Sequence, residues 1–587
     1  MKITRIHIEN YKSIRELDIK PNPKLNAFLG ENSVGKSNIF KAIYWLLGPI
    51  YPTFNATTKQ DHYLGNENNK ILIQLYFEDN YLLELDESKD KYQFSIRKNG
   101  EYQRDLSTLR ENFCSAYVGT ERQIVDYLPS NRWSLLGRIL LDINKRFLEE
   151  TIEVQETTEN RKLKSKVIKK SAKLKNELDK IRDELLFSVK DEDGIEIMKK
   201  FTTMLQEESA RQMNMSPNDF KLNFNLYDPW NFYKTLLILV KEPDTGLEFR
   251  ASQLGTGAQA SITIAILRAY SEIKLEGSNP IFIDEPELFL HPQAQRNLYK
   301  ILRKLADEKD IQIFYITHSP YLLSLEHFDE IFVVKKSKEK GTYIRNADVD
   351  KFIEDLKIRR GIDSDREQLK LHYKNAFEQT ADSISSLEAF FAKKVILVEG
   401  ESEALLLPYF FEKIGFDYIK EKITIVKCGS KNELDRFYRL YSEFGIPCFV
   451  IFDGDRDKDN EENHKRINNE LFEILGESNI QDFPDGEVHK NYLGFEYDFN
   501  HALKETGFEN VYNESDPKKS SKGLELFLKV KKQLENSEVQ IPVWINQIKK
   551  AVMEIPEETE SVLKKSDSEQ IRGEWDRNEI FQNLLYR

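Results

Sequence analysis

Apolar positions near the start of the chain recur first at strand spacing and then at helix spacing. Ile3, Ile6 and Ile8, followed by Ile14, Leu17 and Ile19, mark two short strands, and Lys24–Leu29 is a third that runs straight into a glycine-bearing loop. Past the loop, Ile39, Phe40, Ile43, Leu46 and Leu47 keep to one helix face. Ile71–Phe77 and Tyr92–Ile96 read as strands of an antiparallel flank. Ile281–Ile283 and Ile311–Ile316 are the short, unbroken apolar runs of buried parallel strands. Between these groups, from about Lys145 to Arg211, glycine and proline almost vanish. There Leu163, Val167, Leu174, Leu178, Ile181 and Leu185 recur in steps of three, four and seven, which predicts amphipathic helices with coiled-coil character. A second α/β unit opens with Val395–Val398 and continues through Ile423–Val426 and Cys448–Phe452.

The pattern therefore predicts an α/β protein. A first domain is split into residues 1–145 and 213–350 around a helical insertion at 146–212. A helical linker at 351–392, a second domain at 393–525 and a C-terminal helical region at 526–587 follow. Length agrees, since 587 residues exceed one core and suggest three or four units. Composition adds exclusions. No run approaches the ~20 apolar residues of a membrane span, and the alternating start has no apolar leader, so a cytoplasmic protein is expected. Cys114, Cys428 and Cys448 lie far apart without a CxxC pair, which excludes a cysteine-rich zinc site or a disulfide framework. A net charge of −13 argues against a protein that coats nucleic acid all over. One local exception is Arg161–Lys175, with eight basic and no acidic residues, which is either a solvated face or a phosphate-contacting one.

Two groups of residues carry chemistry. Gly30-Glu31-Asn32-Ser33-Val34-Gly35-Lys36-Ser37, followed by Asn38, sits between a strand and a helix and matches GxxxxGK[ST] throughout. Glycines let backbone N–H groups turn in around phosphates, Lys36 reaches the terminal ones, and the Ser37 hydroxyl is a magnesium ligand. Asp284 and Glu285 end a strand in the Walker B form, the aspartate for magnesium and the glutamate to polarise water. His318 ends the next strand, where a contact to a γ-phosphate is expected. The second group is Glu399 at a strand's carboxyl end, Glu403 one helical turn on, and Asp453 and Asp455 on one tight turn after another strand. Hard oxygens without histidine or cysteine favour magnesium or manganese over zinc.

The loop Ser252–Gln259, with Gly255, Gly257 and Gln259, resembles the signature loop of ABC-type ATPases of the SMC/RecF-like branch, in which one subunit's loop closes over nucleotide held by another. That resemblance implies at least a homodimer. A strand with ExxxE followed by a strand with DxD resembles the Toprim domain, which implies metal and proton-transfer roles for Glu399, Glu403, Asp453 and Asp455. An ABC-type ATPase with a helical insertion ahead of a Toprim domain resembles the OLD (overcoming lysogenisation defect) nucleases, including the Gabija ATPase–nuclease subunits. Tyr117–Leu141, with Arg122, resembles the segment after Walker A in that family. The resemblance further implies a completing acid, Glu496 with Asp498 as rival. It also implies a lysine, Lys522 with Lys518 and Lys519 competing. ATP, two magnesium or manganese ions at the Toprim site and one with ATP are the implied cofactors. Implied partners are DNA, a further copy of the chain, and a helicase or other defence protein. The rival readings are a DNA-binding clamp without nuclease activity and a nuclease that cuts RNA.

Overall fold

A computed structural model describes residues 1–563 apart from 49, 120–133, 158–162, 182–183, 186–187, 191, 214–215, 217–227, 234, 243–244, 273–278, 361–367, 371–376, 378–383, 457, 478–480, 509–521 and 537–538. Arg122, Lys518 and Lys519 thus lie outside the described residues.

Among the described residues, twelve strands form one mixed sheet. Its parallel part runs Ala116–Val118, Ile281–Asp284, Ile313–Ile316, Leu25–Leu29, Ile331–Ser337. Gly341–Asn346 turns the sheet antiparallel, and Ile14–Ile19, Ile3–Tyr11, Leu72–Phe77, Tyr81–Asp86, Phe94–Lys98 and Glu101–Tyr102 complete it. Parallel strands are apolar on both faces because helices cover both. On one face Phe28, Phe282, Phe314 and Phe332 pack beneath the helix Lys36–Leu47 through Phe40. On the other face Ala27, Ile283 and Tyr315 meet the helix Pro292–Glu308 through Leu298, Leu302 and Leu305.

The second unit is a four-stranded parallel sheet in the order Ile423–Lys427, Lys394–Val398, Cys448–Asp453, Tyr492–Phe495. Helices Glu401–Lys413, Lys522–Glu535 and Val543–Glu554 share one core on one side of it, built on Leu406, Phe410, Leu526, Val530, Ile545 and Ile548. The helix Lys522–Glu535 spans the division placed at 525/526, and the helix Val349–Arg360 spans the one placed at 350/351. Its other face, with Leu397, Val450 and Phe452, belongs to the same apolar cluster as the first sheet's strands.

The helical expectation for the start of the insertion is corrected. Thr151–Thr157 and Leu163–Lys169 form an antiparallel hairpin, with Leu163 opposite Thr157 and Val167 opposite Glu153. A four-residue step satisfies both periods, and the β-branched residues Thr151, Ile152, Val154, Val167 and Ile168 favour the strand. Helices follow at Lys170–Ile181 and Ile197–Met213. No helix among the described residues is long and apolar enough to cross a membrane.

Candidate functional site

The loop Gly30–Ser37 is shaped by what lies behind it. A methyl group on Gly30 would sit 2.3 Å from the Val334 carbonyl oxygen, and one on Gly35 2.3 Å from Thr342 Oγ1 and 2.6 Å from Ser13 Oγ. Both glycines also have positive φ, 143° and 111°, which a side chain opposes. Thr342 donates to the Val34 carbonyl oxygen at 2.7 Å, and Asn38 donates to Ser13 Oγ at 2.8 Å, so Asn38 braces the loop from behind. Asn32 and Ser37 are exposed. Lys36 is buried and donates to the carbonyl oxygens of Gly30 and Glu31, each at 2.8 Å. Burial holds its ammonium below the usual lysine range, with Glu285 and Asp284 pulling the other way.

Asp284 is buried at the end of Ile281–Asp284, where burial raises its carboxyl above the ordinary range. Its Oδ2 accepts from the Tyr117 hydroxyl at 3.2 Å, while its buried Oδ1 has no hydrogen-bond partner among the described residues. An acceptor of that kind beside a phosphate loop fits magnesium, for which the exposed Ser37 hydroxyl would be the second protein oxygen. Glu285 has φ 47° and stands 3.9 Å from His318 Nε2. Burial and the Lys36 charge lower the His318 pKa, with Glu285 pulling the other way, so the neutral ring is favoured. Glu287 underpins this corner by accepting the His318 backbone N–H at 2.5 Å. Ser13 and Thr342 were not anticipated, because they reach the loop from turns and strands distant in sequence; nor were Tyr117, which reaches Asp284 from a neighbouring strand, and Glu287, which holds the His318 backbone.

Gly255, exposed, precedes the helix Thr256–Glu272. Gln259 donates to the Leu254 carbonyl oxygen at 2.7 Å, and Gly257 lies against Phe289, three residues beyond Pro286. Gly255, Gly257 and Gln259 thus form a preshaped turn on the first domain.

At the second site, neighbouring parallel strands bring the acids together. The Asp453 backbone N–H lies 3.5 Å from Glu399 Oε2, and Glu403 Oε2 accepts from the Gly400 N–H at 3.2 Å in the first turn of its helix. Burial, then the charges of Asp455 and Glu403, push the Glu399 carboxyl up to about 7. Burial, then Glu403 and Glu399, drive the Asp453 carboxyl well above its ordinary range, and burial raises that of Glu403. Asp453 Oδ1 accepts the Phe499 N–H at 2.9 Å. Asp455 differs: in the left-handed region at φ 60°, it is buried against Lys431 Nζ at 2.6 Å and also meets Lys458 and His464 Nδ1, at 3.3 Å for the latter. Its carboxyl is accordingly lowered by Lys431 and Lys458, against burial.

Among the described residues no three acids are already drawn into one metal cage. The donor set nevertheless fits a hard dication, because the charged forms of clustered carboxylates repel one another until a cation joins them. Glu496 pairs with Arg456 at the surface. Asp498 caps the helix Phe499–Glu505 by accepting the His501 N–H at 2.8 Å, and its charge reaches Asp453 and Glu403. Lys522 begins the helix Lys522–Glu535, whose Gly523 abuts Glu401. Lys431, Lys458 and His464 were missed. They come from other helices and loops, and no local spacing marks them.

Comparison with known proteins follows the same division. The family described as AAA ATPase domain matches residues 1–118 and 109–323, and the overcoming lysogenization defect protein-like TOPRIM domain matches residues 390–455. The OLD nuclease of Thermus scotoductus is 24% identical over 486 residues, covering 77% of this chain and 82% of that protein. The Old nuclease of Escherichia phage P2 is 25% identical, covering 78% and 77%. Endonuclease GajA of Bacillus cereus is 26% identical over 46% of this chain and 42% of its own length.

Proposed function

Because the chain belongs to the AAA ATPase domain family, matches the OLD-like TOPRIM domain over residues 390–455 and is similar over most of its length to OLD nucleases, we propose that it is a nucleotide-regulated, metal-dependent endonuclease or nickase acting on DNA. The observation that carries this is the convergence of Glu399, Glu403, Asp453 and Asp455 at the carboxyl ends of adjacent parallel strands. Glu399, Glu403, Asp453 and Asp455, with Asp498 or Glu496, are the groups to hold two magnesium or manganese ions. Divalent ions there supply an activated water and stabilise the leaving oxygen of a phosphodiester. Glu399, with a carboxyl near neutrality, is suited to exchange the proton that such a water gives up. Lys522, at the start of the helix whose Gly523 abuts Glu401, is the cation assigned to phosphate charge.

In the first domain Lys36 and Ser37 are assigned to ATP phosphates and their magnesium, Asp284 to that magnesium, and Glu285 and His318 to the attacking water and γ-phosphate. The exposed signature turn at Gly255 supports closure over nucleotide in a second copy of the chain. The insertion supports the same pairing, since Ile181, Leu185, Val189, Phe201 and Met204 are exposed on it. We place the protein in the cytoplasm, in antiphage defence, with a helicase or similar protein as candidate partner.

The test is cleavage of supercoiled plasmid by the purified protein with magnesium or manganese, with and without ATP, beside Asp453→Ala/Asp455→Ala and Lys36→Ala. Cutting lost in the first variant supports the nuclease, and altered ATP response in Lys36→Ala supports gating. DNA binding and ATP hydrolysis without cutting under any metal would instead favour a clamp, and cutting confined to RNA would move the substrate.

A further inference from the structure

Lys431 is the first residue of the helix Lys431–Glu443, behind the N-cap Ser430. A helix N-terminus carries partial positive charge and favours anions, so a buried lysine there opposes the helix and needs a specific partner. It has several. Nζ lies 2.6 Å from Asp455 Oδ2, with both side chains at most 5% exposed, and donates to Asn468 Oδ1 at 3.2 Å and the Gly454 carbonyl oxygen at 3.4 Å. Asn468, fully buried, donates to the same Gly454 carbonyl at 3.0 Å and to Asp482 at 3.1 Å. The whole Asp453-Gly454-Asp455 turn is thereby tied to two helices. Lys458, by contrast, meets the other Asp455 oxygen from a side chain 54% exposed, and is free to swing into solvent.

We propose that Lys431 is a positioning residue of the carboxylate site, a resident cation that holds one Asp455 oxygen and leaves the other to a divalent ion. This rests on the reading of Glu399, Glu403, Asp453 and Asp455 as the nuclease carboxylates. The two lysines divide the work. Lys458 is the exchangeable occupant of Oδ1, and Lys431 is the permanent one on Oδ2, fixing the orientation in which Asp455 meets metal. A fixed positive charge in contact with a metal ligand also opposes a dication on that ligand. Removing it therefore tightens metal binding while loosening the geometry that makes the bound ion productive.

The experiment compares wild type, Lys431→Met, Lys431→Gln, Asp453→Ala and Asp455→Asn, with each Lys431 change also made in the Asp455→Asn background. Manganese binding is measured by calorimetry without nucleotide, together with thermal melting and plasmid cleavage at saturating manganese. Lys431→Gln keeps an N–H donor for Asn468 but not the charge, so a fold defect confined to Lys431→Met leaves the question answerable. Expected is manganese binding tightened about three- to tenfold in both Lys431 variants, no such change on top of Asp455→Asn, and cleavage about tenfold slower despite saturation. Unchanged or weakened manganese binding in a folded Lys431 variant, or an equal shift in the Asp455→Asn background, overturns the proposal. If Asp453→Ala binds manganese and cleaves like wild type, the nuclease reading itself has failed, a result separable from the others.

Discussion

At the residue scale, the carboxylate site depends on a glycine and on an unusually protonated acid. A methyl group on Gly454 would sit 2.4 Å from the Glu496 carbonyl oxygen, 2.6 Å from that of Phe495 and 2.8 Å from Pro484. Backbone oxygens cannot step aside, so Gly454→Ala should displace Asp453 and Asp455. The expected result is plasmid cleavage reduced at least about 100-fold with ATP hydrolysis near wild type, and cleavage at the wild-type rate would refute it. Glu399 sets a pH dependence. Its carboxyl is raised from the ordinary value to about 7 in the folded chain, so the neutral form is the favoured one. Its stabilising contribution is fully present below the unfolded value of about 4.5 and is lost as pH rises through about 7. In chelator, wild type should therefore lose melting temperature between pH 5 and 8 more steeply than Glu399→Gln; parallel slopes would count against the burial-driven shift. The four acids and the phosphate loop could be read from sequence because each lies within a few residues of a strand end. Lys431 could not, since its 24-residue separation from Asp455 hides a contact made only by folding.

At the element scale, two helices carry a buried ion network across the domain junction. Asp355 and Arg359 on Val349–Arg360 meet Asp435 and Arg439 on Lys431–Glu443. Arg359 Nε lies 2.8 Å from Asp355 and Arg439 Nε 2.9 Å from Asp435, and cross-helix pairs stand at 3.4 and 3.5 Å. Removing one member of such a group strands a buried charge, at a cost of about 3–5 kcal/mol. Arg439→Leu is thus expected to lower the urea midpoint of the second domain clearly, and a loss below about 1 kcal/mol would place the network in the range of surface pairs. The elements that were legible are those with one period and a hard stop, such as Leu25–Leu29 before Gly30 and Cys448–Asp453 before Gly454. The strand pair Thr151–Thr157 and Leu163–Lys169 was not legible, because Leu163 and Val167 fit a helix face as well as a strand and the pairing partner is itself polar. Tyr81–Asp86 was missed for a similar reason. Its neighbours Leu82 and Leu83 break the alternation, and only pairing with Leu72–Phe77 and Phe94–Lys98 defines it as a strand.

At the scale of the whole molecule, the two domains share an apolar cluster and a polar seam that touches the phosphate loop. Phe328 and Phe352 from the first domain's side join Phe377 and Phe437 in a chain of edge-on ring contacts that continues one apolar cluster into the second. Lys335 donates to the Gly445 carbonyl oxygen at 2.6 Å, and the segment around Glu557 and Glu558 reaches Lys393 in one domain and Lys335 in the other. Glu31 gives the seam a direct connection to nucleotide. Its carbonyl oxygen accepts from Lys36, and its side chain pairs with Lys422, just ahead of the strand Ile423–Lys427. A phosphate that drew Lys36 away from Glu31 would alter the loop residue that the second domain holds, which makes this contact the route to test for transmission between the sites. Both members of the Glu31–Lys422 pair are about half exposed, so the pair adds at most about 1 kcal/mol to stability and its removal should not unfold the protein. Lys422→Glu is therefore expected to leave melting temperature and ATP hydrolysis near wild type while bringing the ratio of cleavage with and without ATP towards one. The exchanged pair Glu31→Lys/Lys422→Glu should restore much of that ratio if the contact itself is what transmits. A ratio untouched by Lys422→Glu would assign transmission to the buried network and the aromatic chain instead.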